Sequence, residues 1–225
     1  MAVKAPVAPI APPCTWCGFY AGASWSRNND VYTAFGPTTS ITAEGQPNGT
    51  GFIGGGQAGY NWQWGQFVLG IEGDIAWRHR TDSANLIPLP ALPSDQVNVT
   101  TSQNWLGTVR PRAGVAFGNV LLYGTGGLAF GEVAHSYQEI RVTTGQARTF
   151  ADTAATKTGW AAGAGVQWAF APHWSIGAEY LHVDLGSTTL AQGPSTVAGF
   201  PFPGSQVTFT NKSDMVRAKL DWQFN

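Results

Sequence analysis

The lengths of the connections between its strands constrain this chain more than any other feature of its sequence. Segments alternating at period two run near 17–27, 50–62, 67–79, 102–117, 120–134, 154–170, 174–185 and 213–224. Such alternation marks a strand with two unlike faces. Segments two and three are joined by Gln63-Trp64-Gly65-Gln66, four and five by Gly118-Asn119, and six and seven by Ala171-Pro172-His173. All three are short enough for tight hairpins. The other connections, 28–49, 80–101, 135–153 and 186–212, are each about twenty residues rich in Pro, Gly, Thr and Ser. Short and long connections therefore alternate strictly. A meander does this when its two ends face different surroundings, as in a membrane barrel with short periplasmic turns and long external loops. The expected architecture is all-β, an eight-stranded antiparallel up-and-down transmembrane β-barrel over residues 16–225. A flexible, Pro/Ala-rich periplasmic tail is expected at residues 1–15.

Composition removes several alternatives. Only 11% of the 225 residues are charged, yet there is no apolar run of about 18 residues, so no membrane-spanning helix is expected. The 29 glycines oppose helices generally, since Gly costs a helix interior about 1 kcal/mol relative to Ala. Low charge with 12% aromatic content opposes disorder. A net charge of −1 offers no basic footprint, so nucleic acid is not an expected partner. Met1 leads directly into Ala2-Val3-Lys4-Ala5-Pro6 without an apolar core, so any secretory leader is expected to have been removed.

The two faces differ sharply. Val216, Ala218, Leu220, Trp222 and Phe224 alternate with Arg217, Lys219, Asp221 and Gln223. Phe67, Leu69, Ile71, Ile75 and Trp77 lie opposite Glu72, Asp74 and Arg78, and Trp105, Val109, Ala113, Val115 and Phe117 lie opposite Thr108, Arg110 and Arg112. A soluble barrel puts the apolar set inside, whereas a membrane barrel turns it to lipid. Aromatic placement favours the second. Trp62, Phe67, Phe117, Tyr123, Phe170 and Trp174 lie next to the short turns, with Trp222 and Phe224 closing the chain, while Trp25, Trp77, Trp105 and Trp160 lie near the long loops. Two membrane interfaces select two such rings. The alternative is that these are ordinary core aromatics. With the polar face inward, Glu72, Asp74, Glu179 and Asp221 meet Arg78, Arg110, Arg112, Arg217 and Lys219 in a narrow lumen. Eight strands enclose space only for their own side chains, so the expectation is a salt-bridged plug with at most small-solute permeability.

Several motifs resemble a known family. Trp16-Cys17-Gly18-Phe19-Tyr20-Ala21-Gly22, Gly54-Gly55-Gly56-Gln57-Ala58-Gly59-Tyr60-Asn61-Trp62 and Gly70-Ile71-Glu72-Gly73-Asp74 are similar to those of small alphaproteobacterial outer-membrane β-barrel proteins. So are Arg110-Pro111-Arg112-Ala113-Gly114, Leu122-Tyr123-Gly124-Thr125-Gly126-Gly127-Leu128-Ala129 and Ala178-Glu179-Tyr180-Leu181. That family is often labelled "porin family" or "outer membrane immunogenic protein" and has an OmpA-like fold. The resemblance implies outer-membrane residence, surface loops, no enzymatic residues and a structural or surface-interaction role. The chain departs from the family at Cys17, where Thr or a similar residue is usual, and at Asn225, which follows the terminal aromatic Phe224. The expected partners are outer-membrane lipid, lipopolysaccharide and the barrel-insertion machinery.

The remaining motifs are weaker. Cys14-Thr15-Trp16-Cys17 lacks the His of a haem site and the further ligands of a zinc site, leaving a tight disulfide or two free thiols; no cofactor or metal is expected. His79, His135, His173 and His182 are scattered, and His135-Ser136 is the nearest approach to the catalytic pair of a lipid-A-modifying barrel enzyme. The long connections carry unexpectedly apolar stretches, Leu89 and Leu92 among prolines and Phe200 and Phe202 around Pro201. These loops either cap one another or contact a protein partner or a second copy. A soluble lipocalin-like carrier, with the apolar face inward, is the remaining alternative.

Overall fold

The computed structural model describes residues 14–35, 40–44, 53–86, 95–141, 146–151, 155–192, 195–197, 200–202 and 205–224. Side-chain surroundings are described for 14–27, 53–77, 103–134, 155–189 and 210–224. The strands in chain order are β1 (Gly18–Phe35), β2 (Ser40–Glu44), β3 (Ile53–Trp64), β4 (Phe67–Leu86), β5 (Asp95–Phe117), β6 (Val120–Arg141), β7 (Gln146–Ala151), β8 (Ala155–Ala171), β9 (Trp174–Gln192), β10 (Ser195–Val197), β11 (Phe200–Phe202) and β12 (Ser205–Gln223). Eight of them, β1, β3, β4, β5, β6, β8, β9 and β12, pair with their neighbours in sequence order, all antiparallel. β12 returns to β1, from Tyr20 opposite Gln223 to Phe35 opposite Thr208. That pairing closes the ring and removes both sheet edges.

Three two-residue turns close one end. Gly65 and Gly118 each open a turn with φ of 60°, a left-handed conformation that glycine adopts without a steric cost. Second-position carbonyls knit neighbouring turns to the ring: Ala116 N–H donates to Gln66 O at 2.7 Å and Ala169 N–H to Asn119 O at 2.8 Å. The first turn is shorter than the sequence suggests, because β3 continues through Trp64.

At the other end the strands run well past their expected limits. β1 continues to Phe35, β4 to Leu86, β6 to Arg141 and β9 to Gln192, while β5 begins at Asp95 and β12 at Ser205. The expected loops 28–49, 80–101, 135–153 and 186–212 are therefore largely strand. These extensions are rich in Thr, Ser, Asn and Gln, so apolar alternation fades there although the backbone ladder persists. Register shifts between Trp77 and Arg80, Gln103 and Leu106, and Thr210 and Lys212 mark the crossing from one regime to the other; bulges gather at barrel rims for this reason. Phe200 and Phe202 belong to the small β10–β11 hairpin. Their side chains, and the whole of Leu89 and Leu92, lie outside the described residues.

The inward face is narrow, and glycine sets how much fits. The ring of Tyr20 lies over Gly59 and that of Tyr123 over Gly165, leaving no room for a Cβ at either position. Replacing Gly59 or Gly165 by Val should displace these rings and destabilise the barrel by about 1–3 kcal/mol each, the usual cost of overpacking. Urea titration of the refolded protein measures it, and a Gly54→Val control, where the added atom meets open space, should be nearly neutral.

Candidate functional site: the lumen and the outer wall

The strand faces point as an outer-membrane barrel requires. Phe67, Leu69, Ile71, Ile75, Trp77, Val109, Phe117, Trp160, Val166, Phe170, Val216 and Phe224 are exposed on the outer wall. Glu72, Asp74, Arg110, Arg112, Glu179, Arg217, Lys219 and Asp221 are buried inside. The lipocalin-like alternative needs the reverse and is excluded by this arrangement.

Glu72 and Arg110 are the two hubs of the lumen. Arg110, with no exposed surface, donates from Nη1 to Glu179 Oε1 at 3.0 Å and from Nη2 to Glu72 Oε1 at 3.0 Å and Asp74 Oδ2 at 2.9 Å. Its Nε donates to Thr108 Oγ1 at 2.8 Å, and the Thr108 hydroxyl passes a hydrogen bond on to Asp74. Glu72 also accepts from Lys219 Nζ at 2.6 and 2.7 Å, from Tyr20 OH at 2.6 Å and from Arg112 Nη1 at 3.3 Å. Arg217 Nη1 reaches Asp74 Oδ1 at 2.9 Å. Asp221 takes a different kind of partner: the side-chain amides of Gln57 and Gln167 donate to it at 2.7 and 2.6 Å. Every one of the eight ring strands contributes a member. Among the described residues four carboxylates meet four cations, with the Arg78 side chain outside the description.

Apolar layers bound this charged layer on both sides. Towards the long-loop end lie Leu106, Val133, Leu181, Val183, Leu185 and Met215. A cleft there between Gln103, Leu106, Val133 and Asn211 offers about 10 Å³, room for one water molecule. Towards the short turns lie Val68, Ala116, Leu121, Tyr123 and Trp16. Trp16 is 1% exposed, its indole N–H donates to Gly118 O at 3.2 Å, and its backbone N–H donates to Gln63 Oε1 at 2.9 Å. The turn that carries it is tied by a Cys14–Cys17 disulfide, so Cys14 and Thr15 are already part of the barrel's mouth and not of a free tail. Residues 1–13 lie outside the description.

Most of the aromatics singled out in the sequence stand on the outer wall, and Tyr123 does not. Trp62, Phe67, Phe117, Phe170, Trp174, Trp222 and Phe224 stand on the outer wall near the short turns. Trp25, Trp77 and Trp160 stand there near the long-loop end, and Trp105 is half-buried against Phe130. Tyr123, expected among them, points inward: it is 5% exposed, donates to Glu179 Oε2 at 2.9 Å, and its ring lies 4.1 Å from the Arg112 guanidinium. Leu121, Leu122 and Tyr123 are consecutive apolar residues, so periodicity carried no phase there. A buried phenol needs a polar partner, and only the lumen supplies one. Phe19 and Trp64, both exposed, and Tyr60, packed 4.6 Å from Phe19, complete the short-turn group.

The model of the outer membrane protein beta-barrel domain matches residues 8–215. The chain belongs to this family. It is 33% identical over 99% of its length to the 31 kDa outer-membrane immunogenic protein of Brucella melitensis, covering 90% of that protein. It is 30% identical over 80% of its length to the 22 kDa outer membrane protein of Rhizobium leguminosarum, covering 69% of it. The fold is similar to that of the outer membrane protein OprG from Pseudomonas aeruginosa, with a TM-score of 0.50 at 11% identity, covering 94% of this chain and 97% of OprG. The protein is thus an integral outer-membrane β-barrel, and its inward charges form a buried layer within it.

Removing one member of a buried ion network leaves its partners charged and unpaired, at about 3–5 kcal/mol. Glu72→Ala should lower barrel stability by that amount, measured by equilibrium urea unfolding. Pairing it with Lys219→Met should recover part of the loss, because one stranded cation goes with it.

Proposed function

We propose that this barrel is a non-catalytic, structural and surface-interaction protein whose lumen is closed to all but the smallest solutes. The observation that carries the reading is the layering of the lumen. A fully buried Arg110 bound to three carboxylates is capped by Leu181 and Met215 on one side and by Trp16 on the other. A solute would have to break several buried ion pairs to pass.

The outer wall supports an orientation as well. Phe67 and Trp77, and likewise Trp160 and Phe170, are ten positions apart on their strands, close to the length a tilted strand needs to cross the hydrocarbon. We read these aromatics as two interfacial girdles, with the short turns in the periplasm and the extended strands outside the cell. On that reading the polar extensions lift the loops away from the lipid, and the apolar loop segments at Leu89, Leu92, Phe200 and Phe202 contact a protein partner or a second copy. The word "immunogenic" in the name of the Brucella relative supports a surface-displayed end. It also favours this role over a lipid-modifying enzyme.

Liposome swelling tests the closed lumen. Vesicles carrying the refolded barrel should swell in arabinose no faster than protein-free vesicles. Swelling that rises with barrel content and falls with sugar size would overturn the reading.

A further inference from the structure

One cluster of ionisable groups belongs to neither the lumen nor the aromatic rings. On the outer wall β8, β9 and β12 bring Trp160, Tyr180, His182, Asp184, Lys212 and Asp214 side by side. Asp184 pairs with Trp160 on one flank and with Lys212 on the other, and His182 pairs with Asp214. The Asp214 carboxylate accepts from Tyr180 OH at 2.6 Å and contacts His182 Nδ1 at 2.8 Å. Lys212 Nζ lies 3.8 Å from Asp184, and the Trp160 and His182 rings are 5.3 Å apart. Val216, one outward position below Asp214, is 60% exposed and belongs to the apolar band.

Charged groups on the lipid face of a barrel are costly at mid-membrane and cheap at an interface. This cluster therefore marks the level at which the headgroups of the long-loop leaflet begin. We infer that it is a binding site for a phosphorylated glycolipid headgroup of the outer leaflet. Lys212 is placed to donate to a phosphate, and Asp214 holds the His182 imidazole through Nδ1, so that its Nε2 edge accepts from a phosphate or sugar hydroxyl. The exposed faces of Trp160 and Tyr180 give a sugar ring an aromatic surface, and the Asp184 carboxylate offers an acceptor for its hydroxyls. A phosphatidyl headgroup would use Lys212 alone and leave the aromatic and acidic members idle.

The site rests on the orientation proposed above, so the two are tested separately. Native mass spectrometry of the barrel refolded in detergent, with diphosphoryl lipid A added, reads binding directly. The wild-type protein should retain lipid A in preference to phosphatidylglycerol at equal concentration. The double variant Lys212→Gln/His182→Gln should retain it about tenfold less, the effect of losing charge-assisted hydrogen bonds. Ile75→Ala on β4, whose side chain is exposed on the far side of the ring, should retain it unchanged. Heat-dependent gel mobility verifies that each variant is folded. Equal retention by the double variant, or equal retention of phosphatidylglycerol by wild type, overturns the site. Failure of a membrane-impermeant maleimide to label Ser187→Cys on intact cells overturns the orientation instead.

Discussion

Buried charge in a lumen filled by side chains is the constraint on which the rest of this structure depends. Eight strands leave an interior that their own side chains fill, and the outer solvent is hydrocarbon, so polar groups are driven inward. An inward carboxylate is tolerable only beside a donor. Glu72 meets Lys219, Arg110, Arg112 and Tyr20, each from a different strand or a different position on one, and these contacts form only once the ring is closed. The network thereby couples closure to register. A slip of one residue in any strand would turn its charges into lipid and its apolar residues into the lumen.

The same constraint explains the glycines and tyrosines. Large guanidinium and phenol groups fit the lumen because the facing strands carry no side chain at Gly59, Gly70 and Gly165. Tyr20 and Tyr123 add hydroxyl donors to Glu72 and Glu179 without adding charge, and their rings pack against Arg112. Gln57 and Gln167 serve Asp221 in the same way. Neutral donors thus complete the coordination of the carboxylates, which the cations alone leave unfinished.

Much of this was legible in the sequence, and the failures have physical causes. Strand number, the short turns and the shared face of Glu72, Asp74, Arg110, Arg112, Arg217, Lys219 and Asp221 follow from period-two alternation and connection lengths, and the aromatic placement turns that face inward. That signal needs two unlike faces, so it fades in the strand extensions, whose sequence is rich in Thr, Ser, Asn and Gln at successive positions. Hence β1, β4, β6 and β9 were expected to end early. Tyr123 was misplaced because its neighbours Leu121 and Leu122 are apolar on both faces. Trp16 reads as the residue just before the first strand, yet it is a stopper under the ring, held by Gln63 at the end of β3 and by Gly118 in a distant turn. Only contacts far apart in sequence reveal it. The cluster around His182 and Asp214 spans three strands and likewise has no local signature.

The central claim is that the lumen is a filled, ion-paired layer and not an aqueous path. Single-channel recording of the refolded barrel in planar bilayers under concentrated KCl tests it most directly. The account predicts a silent membrane with no stable open level. Ohmic current steps that scale with the conductivity of the bath would contradict it.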